Sequence, residues 1–407
     1  MKEYKYLYSK MLDENNIRKA YKRLRKGKTK RKEIIAIDAN LDEEVAKMKR
    51  MIENTKPSDV SVEHPELAYK PCKRTPKYIF EHGKRRKIYM PEIHEQWLHH
   101  IIVLILEPII MATSYPYSCG SLPKRGAHYG KKRLLKWIRD GDGIRNFGKI
   151  DIRHFYDNIR IDILMKELSI RIKDAWFLYV IRLCLDGFKK GIPLGFYVSQ
   201  WLANYMLEPL DRFITEELGL KKYMRYMDDM VFFDNSKKRI HKAITQIKIF
   251  IGRRYRLKLK GNYQVCKFIY DGKRGKIGRP LDFMGFKFYR NKTILRKSIM
   301  LAATRTVKKL KASKEAGRGY YLKHVKAMLS YMGWFACTDT YDCYITHVKP
   351  YVRARRLREI VSKLDRRDKH ERVERRTLCY TAWRVADHCT RGIYAEAQYH
   401  RGRARSN

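Results

Sequence analysis

Two adjacent acids stand between two apolar runs, and this feature constrains the fold of the chain more than any other. Residues 223–233 read Tyr-Met-Arg-Tyr-Met-Asp-Asp-Met-Val-Phe-Phe, with Asp228 and Asp229 in the middle. Aromatic and β-branched residues favour strands, so the pattern predicts two strands that reverse direction at the acids. Adjacent carboxylates repel each other, and a turn beside bound metal ions relieves that repulsion. The sequence therefore predicts a β-hairpin with a metal site at its tip.

A third acid follows another strand pattern upstream. Asp151 lies near the end of an apolar stretch from Phe147 to Ile152, and an aromatic residue, Tyr156, comes five residues later. By itself, an Asp at a strand end is more often a loop cap than a metal ligand. Together with Asp228 and Asp229, however, Asp151 completes a set of carboxylates, the hard oxygen ligands that Mg²⁺ prefers. Nucleotidyl transfer is a reaction that requires two such metal ions. The three acids are therefore candidates for one two-metal site.

The charge of the chain points to a polyanionic partner. It has 91 Lys and Arg against 43 Asp and Glu, a formal net charge of +48. A globular chain this basic repels itself unless a polyanion neutralises it, and nucleic acid is the first candidate. An anionic membrane surface is the alternative. The longest apolar run, residues 101–112, is interrupted by a Glu-Pro pair and is shorter than the roughly 20 residues that cross a bilayer. A cytoplasmic protein without a signal peptide or membrane partner is expected.

Helical patterns fill much of the remaining chain. Residues 1 to about 60 have helical spacing, and so do residues 97–111. Longer helices are predicted over residues 162–185 and 199–218, and basic helices over residues 308–332 and 353–372. The chain is therefore expected to be of the α/β class, with its strands concentrated in the centre.

The order of four motifs resembles that of the reverse transcriptases. Between the acid motifs lies Pro-Leu-Gly-Phe-Tyr-Val-Ser at residues 193–199, and Phe-Met-Gly follows at residues 283–285. Upstream segments, including residues 86–91, look like the fingers motifs of bacterial enzymes of the group II intron type. The resemblance implies a right-hand polymerase with fingers, a palm built on an antiparallel sheet, and a helical thumb. It places a basic N-terminal helical extension at 1–80, fingers at 81–146, palm with part of the fingers at 147–290, and a basic thumb at 291–407.

The resemblance also implies roles for individual residues. Asp151, Asp228 and Asp229 match the catalytic, metal-binding acids, which hold two Mg²⁺ ions that Mn²⁺ is able to replace. Residues 283–285 match the primer grip: Phe283, Met284 and Gly285. Tyr156 matches the steric gate that excludes ribonucleotides, although a core aromatic is the alternative. The residues expected at the incoming nucleotide are Lys84, Arg86, Tyr156, Leu194, Gly195, Ser199, Gln200 and Lys260.

A basic run near the N-terminus is a candidate RNA-binding surface. A run of this kind is usually only a solvated face, but here it coincides with extreme overall charge. The residues concerned are Lys22, Arg23, Arg25, Lys26, Lys28, Lys30 and Arg31. The expected partners are a template RNA, the nascent cDNA and dNTPs.

Two departures from the common pattern suggest a subgroup. Leu194 stands where many reverse transcriptases have Gln, and Ser199 is followed by Gln200 where Pro is common. Pro-x-Gly followed by Ser-Gln, together with Tyr-Met-Asp-Asp and a compact basic thumb, resembles the enzymes of diversity-generating retroelements. That family copies a template RNA with errors at adenines and works with a small basic accessory protein. Phe196 replaces the Asn that this subgroup usually has after Gly. The alternatives are a phage-defence reverse transcriptase that copies its own non-coding RNA, an intron maturase, and a non-catalytic RNA-binding scaffold. A bacterial or phage-infected cytoplasm is the expected location.

Overall fold

The structure, a computed structural model, describes residues 2–81, 84–188, 190–272 and 275–363. The chain divides into two compact units, Met1–Asn291 and Lys292–Asn407. The first unit opens with four helices: α1 Leu7–Leu12, α2 Glu14–Arg25, α3 Lys32–Ala39 and α4 Leu41–Glu53. The buried residues of α2 follow the i, i+3, i+4, i+7 pattern: Ile17, Ala20, Tyr21 and Leu24. This spacing gives an amphipathic helix whose apolar stripe packs into the core.

A two-stranded hairpin and a buried helix follow. β1 (Pro76–Glu81) and β2 (Lys84–Tyr89) pair antiparallel. α5 (Ile93–Met111) is buried along most of its length, and the Trp97 indole donates a hydrogen bond to the Ile17 carbonyl oxygen at 2.9 Å. The predicted helix at residues 97–111 is thus confirmed. Strand β3 (Ser118–Cys119) and helix α6 (Ala127–Asp140) come next.

A five-stranded sheet forms the centre of the first unit. Its strands run in the order β3-β5-β6-β4-β7, with β4 Asn146–Asp151, β5 Tyr223–Tyr226, β6 Asp229–Asp234 and β7 Gln264–Lys267. The expected antiparallel pairing holds for β4 to β7, whereas the short β3 runs parallel to β5. Because β4 lies next to β6, the upstream acid motif is brought beside the hairpin acids.

The described segments that connect the central strands form further helices, and two predicted helices are broken. They are α7 Phe155–Asn158, α8 Ile161–Ser169, α9 Ala175–Cys184, α10 Tyr197–Met206, α11 Glu208–Arg212 and α12 Lys237–Tyr255. The single helix predicted at 162–185 is wrong, because Asp174 caps a new helix by accepting a hydrogen bond from the Phe177 amide at 3.0 Å. The helix predicted at 199–218 is also interrupted, and Pro209 stands in the first turn of α11.

The remaining strands are short. β8 (Tyr270–Gly272) pairs with β9 (Gly275–Ile277), and β10 (Leu281–Phe283) pairs with β11 (Phe286–Phe288), both antiparallel. In the second unit, strand β12 (Thr293–Leu295) precedes the helices α13 Lys297–Glu315, α14 Leu322–Ala336 and α15 Tyr341–His347. Residues 354–363 are also helical.

Two helix predictions concern this second unit. The basic helix predicted at 308–332 is two helices, separated by a turn in which Gly317 has φ +65°. The rest of the predicted thumb, residues 364–407, lies outside the described residues. No described helix combines the length and apolar character needed to cross a membrane.

Candidate active site

The central sheet brings the three candidate acids to one edge. Asp151 is the last residue of β4, and Asp229, the first residue of β6, lies directly opposite it in the antiparallel register. Asp228 precedes Asp229 in the turn that joins β5 to β6. The predicted hairpin with acids at its tip is therefore confirmed. The pairing of β4 with β6 brings Asp151 beside these acids, although they follow it by 77 and 78 positions in the sequence.

A buried arginine beneath the turn holds its shape. Met227 adopts the left-handed region, with φ +55°, and its carbonyl oxygen accepts a hydrogen bond from the Arg225 guanidinium at 3.1 Å. Arg225 also forms a bidentate ion pair with Asp211, in which Nε lies 2.8 Å from Oδ1 and Nη2 lies 2.6 Å from Oδ2. Both side chains are almost fully buried. Removing either partner would leave a buried charge unpaired. The sequence pattern did not predict this pair, although a charged residue within an apolar strand was a signal for it.

The environment of the turn raises the pKa of both of its acids. Burial, followed by the negative charge of Asp151, raises the pKa of Asp228 to about 6. Burial raises the pKa of Asp229 to about 7, despite the opposing effect of Lys149. Acids in such an environment gain most from a cation that compensates their charge.

Two lysines form ion pairs with the acids. The Lys260 ammonium nitrogen lies 2.6 Å from Asp151 Oδ1, and the Lys260 amide donates a hydrogen bond to the Asp151 carbonyl oxygen at 2.8 Å. Lys149 Nζ lies 3.2 Å from Asp229 Oδ2 and donates a hydrogen bond to the Asp282 carbonyl oxygen at 2.8 Å. Lys260 was predicted near the site, whereas Lys149 was missed. Its position on β4, two residues before Asp151, places it on the same face of the strand.

The donor chemistry at this edge fits a divalent metal. Within the part of the chain that the structure describes, no three His, Cys, Asp or Glu side chains converge tightly enough to hold a metal ion. Asp229 Oδ1 is nevertheless buried and accepts no hydrogen bond, while Asp151 Oδ1 is paired with the Lys260 ammonium group. Buried carboxylate oxygens without a hydrogen-bond donor are costly, and Mg²⁺ takes such oxygens as ligands. The acids thus suit Mg²⁺, while Lys149 and Lys260 balance their charge in this structure.

Asp229→Asn is expected to stabilise the metal-free protein at about pH 8 and to have a smaller effect at about pH 5. Folding raises the pKa of Asp229 to about 7, so the folded protein is destabilised when this carboxyl group must ionise. This destabilisation is absent below the pKa that Asp229 has in the unfolded chain. It grows as the pH rises and is complete above the folded-state pKa. The loss of the Lys149 ion pair offsets part of the gain, so we expect about 1 kcal/mol in the free energy of unfolding.

Urea unfolding of both proteins at the two pH values measures this effect. Added Mg²⁺ should stabilise the wild type more than the variant at the higher pH, because a ligand stabilises the state that binds it. If the free energy of unfolding depended equally on pH in the two proteins, ionisation of Asp229 would not destabilise the folded state.

The candidate steric gate is held by the loop that precedes α10. The Tyr156 carbonyl oxygen accepts a hydrogen bond from the Ile192 amide at 2.9 Å. Gly191 has φ +84°, and a Cβ there would lie 3.0 Å from the Asp157 Cα atom. The Tyr156 ring is half-buried, and its pKa is raised by burial and by the negative charge of Asp228. Tyr156 therefore lies within electrostatic range of the acids, and its backbone is closely packed.

The same loop contacts the end of the β1–β2 hairpin. The Tyr89 amide donates a hydrogen bond to the Leu194 carbonyl oxygen at 2.7 Å. Gly195 has φ +102°, and a Cβ there would lie 2.2 Å from the Tyr89 carbonyl oxygen, so only glycine fits. Ser199 is buried in α10 with no hydrogen bond to its Oγ, while Gln200 is exposed. The loop thus joins the hairpin to the gate.

Arg86 lies within electrostatic reach of the acids. It stands on β2, and its positive charge opposes the rise in the pKa of Asp228. The backbone of Lys84 begins β2, but its side chain lies outside the described residues. The structure thus associates Arg86 with the candidate site.

The candidate primer grip forms a tight turn. Phe283 ends β10, and Met284 and Gly285 follow with φ of +52° and +86°. The hydrogen bond from Lys149 to the Asp282 carbonyl oxygen connects this strand to the edge of the sheet that carries the three acids.

Several cations of the predicted RNA-binding run have partners within the protein. Arg23 pairs with Glu107, Arg25 pairs with Asp38 at 2.8 Å, and Lys28 donates a hydrogen bond to Gln96 at 2.8 Å. These contacts reduce their availability for RNA. The other candidates in this run are exposed: Lys22, Lys26, Lys30 and Arg31.

The chain is similar to several known proteins over part of its length. It is 24% identical to Protein YkfC of Escherichia coli, over 33% of this chain and 38% of that protein. It is 28% identical to the group II intron-encoded protein LtrA of Lactococcus lactis, over 33% of this chain and 23% of that protein. The matched region thus spans less than two fifths of either relative.

Similar solved structures include two yeast telomerases. Telomerase from Candida albicans, in complex with a fragment of telomeric RNA, is 14% identical with a TM-score of 0.43, over 71% of this chain and 56% of that one. Apo telomerase from Candida tropicalis is 10% identical with a TM-score of 0.45, over 72% of this chain and 60% of that one.

A family model covers more than half of the chain. The model described as "Reverse transcriptase (RNA-dependent DNA polymerase)" matches residues 73–288, a range that contains the three acids, the loop before α10 and the candidate primer grip. The protein therefore belongs to the reverse transcriptase family.

Proposed function

We propose that this protein is an RNA-directed DNA polymerase that makes cDNA from a dedicated template RNA by two-metal nucleotidyl transfer. The observation that carries the proposal is the meeting of Asp151, Asp228 and Asp229 at one edge of the sheet, where the buried Asp229 Oδ1 accepts no hydrogen bond. A non-catalytic scaffold would have no chemical use for clustered acids whose charged forms are disfavoured.

Asp151 and Asp228 would hold two Mg²⁺ ions, with Asp229 as the supporting acid. When bound, these ions activate the primer 3′-hydroxyl and neutralise the leaving pyrophosphate. The chain itself provides the cations around that centre. Arg86 suits the triphosphate because a guanidinium forms paired hydrogen bonds with phosphate oxygens. Lys260 is the proposed proton donor to pyrophosphate, since its ammonium group already lies beside Asp151.

The β1–β2 hairpin offers different surfaces to the nucleotide and to a single strand. Directly opposed residues share a face, so Phe80 lies on the same face as Arg85 and Tyr78, while Arg86 lies on the other. Phe80 is 80% exposed, and the Arg85 guanidinium lies 3.9 Å from the Tyr78 ring centroid. Exposed aromatic rings beside cations suit unpaired bases. We assign this face to the single-stranded template.

Among reverse transcriptases, we place the protein with those of diversity-generating retroelements, working with a small basic accessory protein. Leu194 supports this placement: its half-buried aliphatic side chain lies in the loop that joins the hairpin to Tyr156 and cannot donate a hydrogen bond to the incoming nucleotide. Looser positioning of the base pair favours errors. The phage-defence alternative shares the same catalytic centre and differs in the RNA that is copied.

Leu194→Gln is expected to reduce misincorporation opposite template adenines by about 10-fold, because the amide restores a hydrogen bond to the incoming nucleotide. Sequencing of cDNA made from a defined template measures the error spectrum. Leu194→Met, which changes shape but adds no hydrogen-bond donor, is the matched control. An unchanged error spectrum in the Gln variant would show that Leu194 does not cause the errors.

The test of the proposed function is purification of the protein co-expressed with its flanking DNA, followed by sequencing of the bound RNA and of cDNA made with dNTPs and Mg²⁺. Substitutions concentrated at adenines would establish the diversity-generating assignment. Faithful or repetitive cDNA from a structured non-coding RNA would favour the defence enzyme. Tightly bound RNA without cDNA, even after addition of the accessory protein, would contradict the polymerase proposal.

A further inference from the structure

We propose that a basic aromatic pocket, separate in its residues from the active site, binds one unpaired nucleotide of the RNA on which the enzyme works. This Tyr6 pocket lies between the start of α1 and the start of α9 and has a volume of about 520 Å³. Its principal lining residues are Lys5, Tyr6, Lys56, Lys173 and Trp176. The inference rests on the proposed function only in taking RNA as the ligand.

Backbone contacts on both sides hold the walls of the Tyr6 pocket. The Tyr4 amide donates to the Arg171 carbonyl oxygen, and the Lys173 amide donates to the Tyr4 carbonyl oxygen, both at 2.8 Å. Asp174 caps α9 and also accepts a hydrogen bond from the Tyr8 amide at 2.8 Å. The pocket is therefore formed before a ligand arrives, which lowers the ordering cost of binding.

Two aromatic side chains of the pocket remain accessible to solvent. Tyr6 is 80% exposed and Trp176 is 38% exposed. Tyr6 has φ +55°, a conformation that non-glycine residues adopt only at a cost and that the surrounding contacts must impose. The Trp176 ring is braced edge-on by Tyr8, with the ring centroids 5.3 Å apart. A rigid, accessible indole with a second aromatic nearby is a suitable platform for a base.

The charges of the pocket suit a nucleotide. Lys56 Nζ lies 4.8 Å from the Trp176 ring centroid, so a cation already occupies the space near the ring. Lys5 and Lys173 add positive charge for a phosphate. Glu53 also lines the pocket, and its charge acts on Tyr8. A carboxylate accepts hydrogen bonds, and guanine presents adjacent N–H donors on its Watson–Crick edge, so we expect a preference for guanine.

Binding of a short labelled oligouridylate with one central guanosine, followed by fluorescence anisotropy, tests the proposal. The assay is run at raised salt, which weakens the sequence-independent attraction of a basic protein for phosphates while stacking persists. Tyr6→Ala and Trp176→Ala should each weaken binding about 10-fold, whereas Tyr6→Phe should bind like the wild type. Since the Tyr6 side chain is largely exposed, its removal is not expected to unfold the protein.

Three controls isolate the pocket. Tyr341→Ala removes a side chain that is 66% exposed in the second unit and should leave binding unchanged. Blunt duplex RNA should bind all variants equally, because its bases are not available for stacking. Replacing the guanosine by uridine should weaken binding to the wild type.

Wild-type affinity of Tyr6→Ala for the labelled probe would overturn the proposal. Competition by free GMP as effective as that by the oligonucleotide would also overturn it, in favour of a site for free nucleotides. All pocket variants should extend a short preformed primer–template at the wild-type rate. Pocket-dependent RNA binding in a protein that makes no cDNA would support the pocket while counting against the polymerase proposal.

Discussion

Replacing Asp228 and Asp229 together by Asn is expected to reduce DNA synthesis by about 1000-fold or more while leaving RNA binding nearly unchanged. The substitution keeps the size of both side chains but removes the charges that would hold Mg²⁺. The buried Arg225 beneath the turn keeps its partner Asp211, so the hairpin should retain its shape. RNA binding should persist because it depends on the basic surfaces of the chain. Primer extension with dNTPs and Mg²⁺, together with an RNA-binding assay, measures both effects.

Asp234→Asn is the matched control for this double variant. Asp234 ends the same strand that Asp229 begins, and its carboxylate accepts a hydrogen bond from the Ser236 amide at 2.8 Å. Asparagine is also able to accept that bond, so synthesis should continue near the wild-type rate. If the Asp228→Asn, Asp229→Asn protein still made DNA, the two acids would not be required for catalysis. The proposed mechanism would then be wrong.

Tyr156→Ala is expected to lower the discrimination against ribonucleotides by about 100-fold. The proposed gate works by occupying the space of the ribose 2′-hydroxyl, and alanine would leave that space open. The backbone hydrogen bond from the Ile192 amide to the Tyr156 carbonyl oxygen does not depend on the side chain. The loop should therefore keep its position, and incorporation of dNTPs should fall much less than selectivity. Steady-state incorporation of paired dNTPs and rNTPs opposite the same template base measures the ratio.

Tyr156→Phe separates the ring from its hydroxyl group. Since a steric gate requires only the ring, this variant should discriminate as well as the wild type. Loss of discrimination in the Phe variant would point instead to a hydrogen bond from the hydroxyl. Unchanged discrimination in the Ala variant would make Tyr156 a packing residue near the acids.

The sequence predicted local elements best where the residues of a turn mark the end of one element and the start of the next. The β5–β6 hairpin was predicted correctly because aromatic and β-branched residues surround one acidic turn. The helix predicted at residues 162–185 failed because the apolar pattern continued through a position where Asp174 stops one helix and caps the next. Side-chain capping of this kind competes with helix continuation, and an apolar pattern alone does not decide between them.

Charge in the sequence was a good guide to the partner class but a poor guide to individual contacts. The basic run near residue 25 looks uniform in the sequence. In the structure, Arg25 pairs with Asp38, and Lys28 donates a hydrogen bond to Gln96 of α5, while Lys22 is exposed. Residues that are distant in sequence decide which cations remain available, because ion pairs depend on separation in space.

The sequence by itself determined the identity and order of the acids, since a metal-binding chemistry requires particular side chains at the ends of strands. Only the tertiary structure decided what surrounds them. The antiparallel pairing of β4 with β6 sets Asp151 opposite Asp229, and it places Lys149 between Asp229 and the Asp282 carbonyl oxygen. The same folding buries Arg225 against Asp211. Local pattern specifies the strands, whereas burial and electrostatics depend on which strands and helices meet.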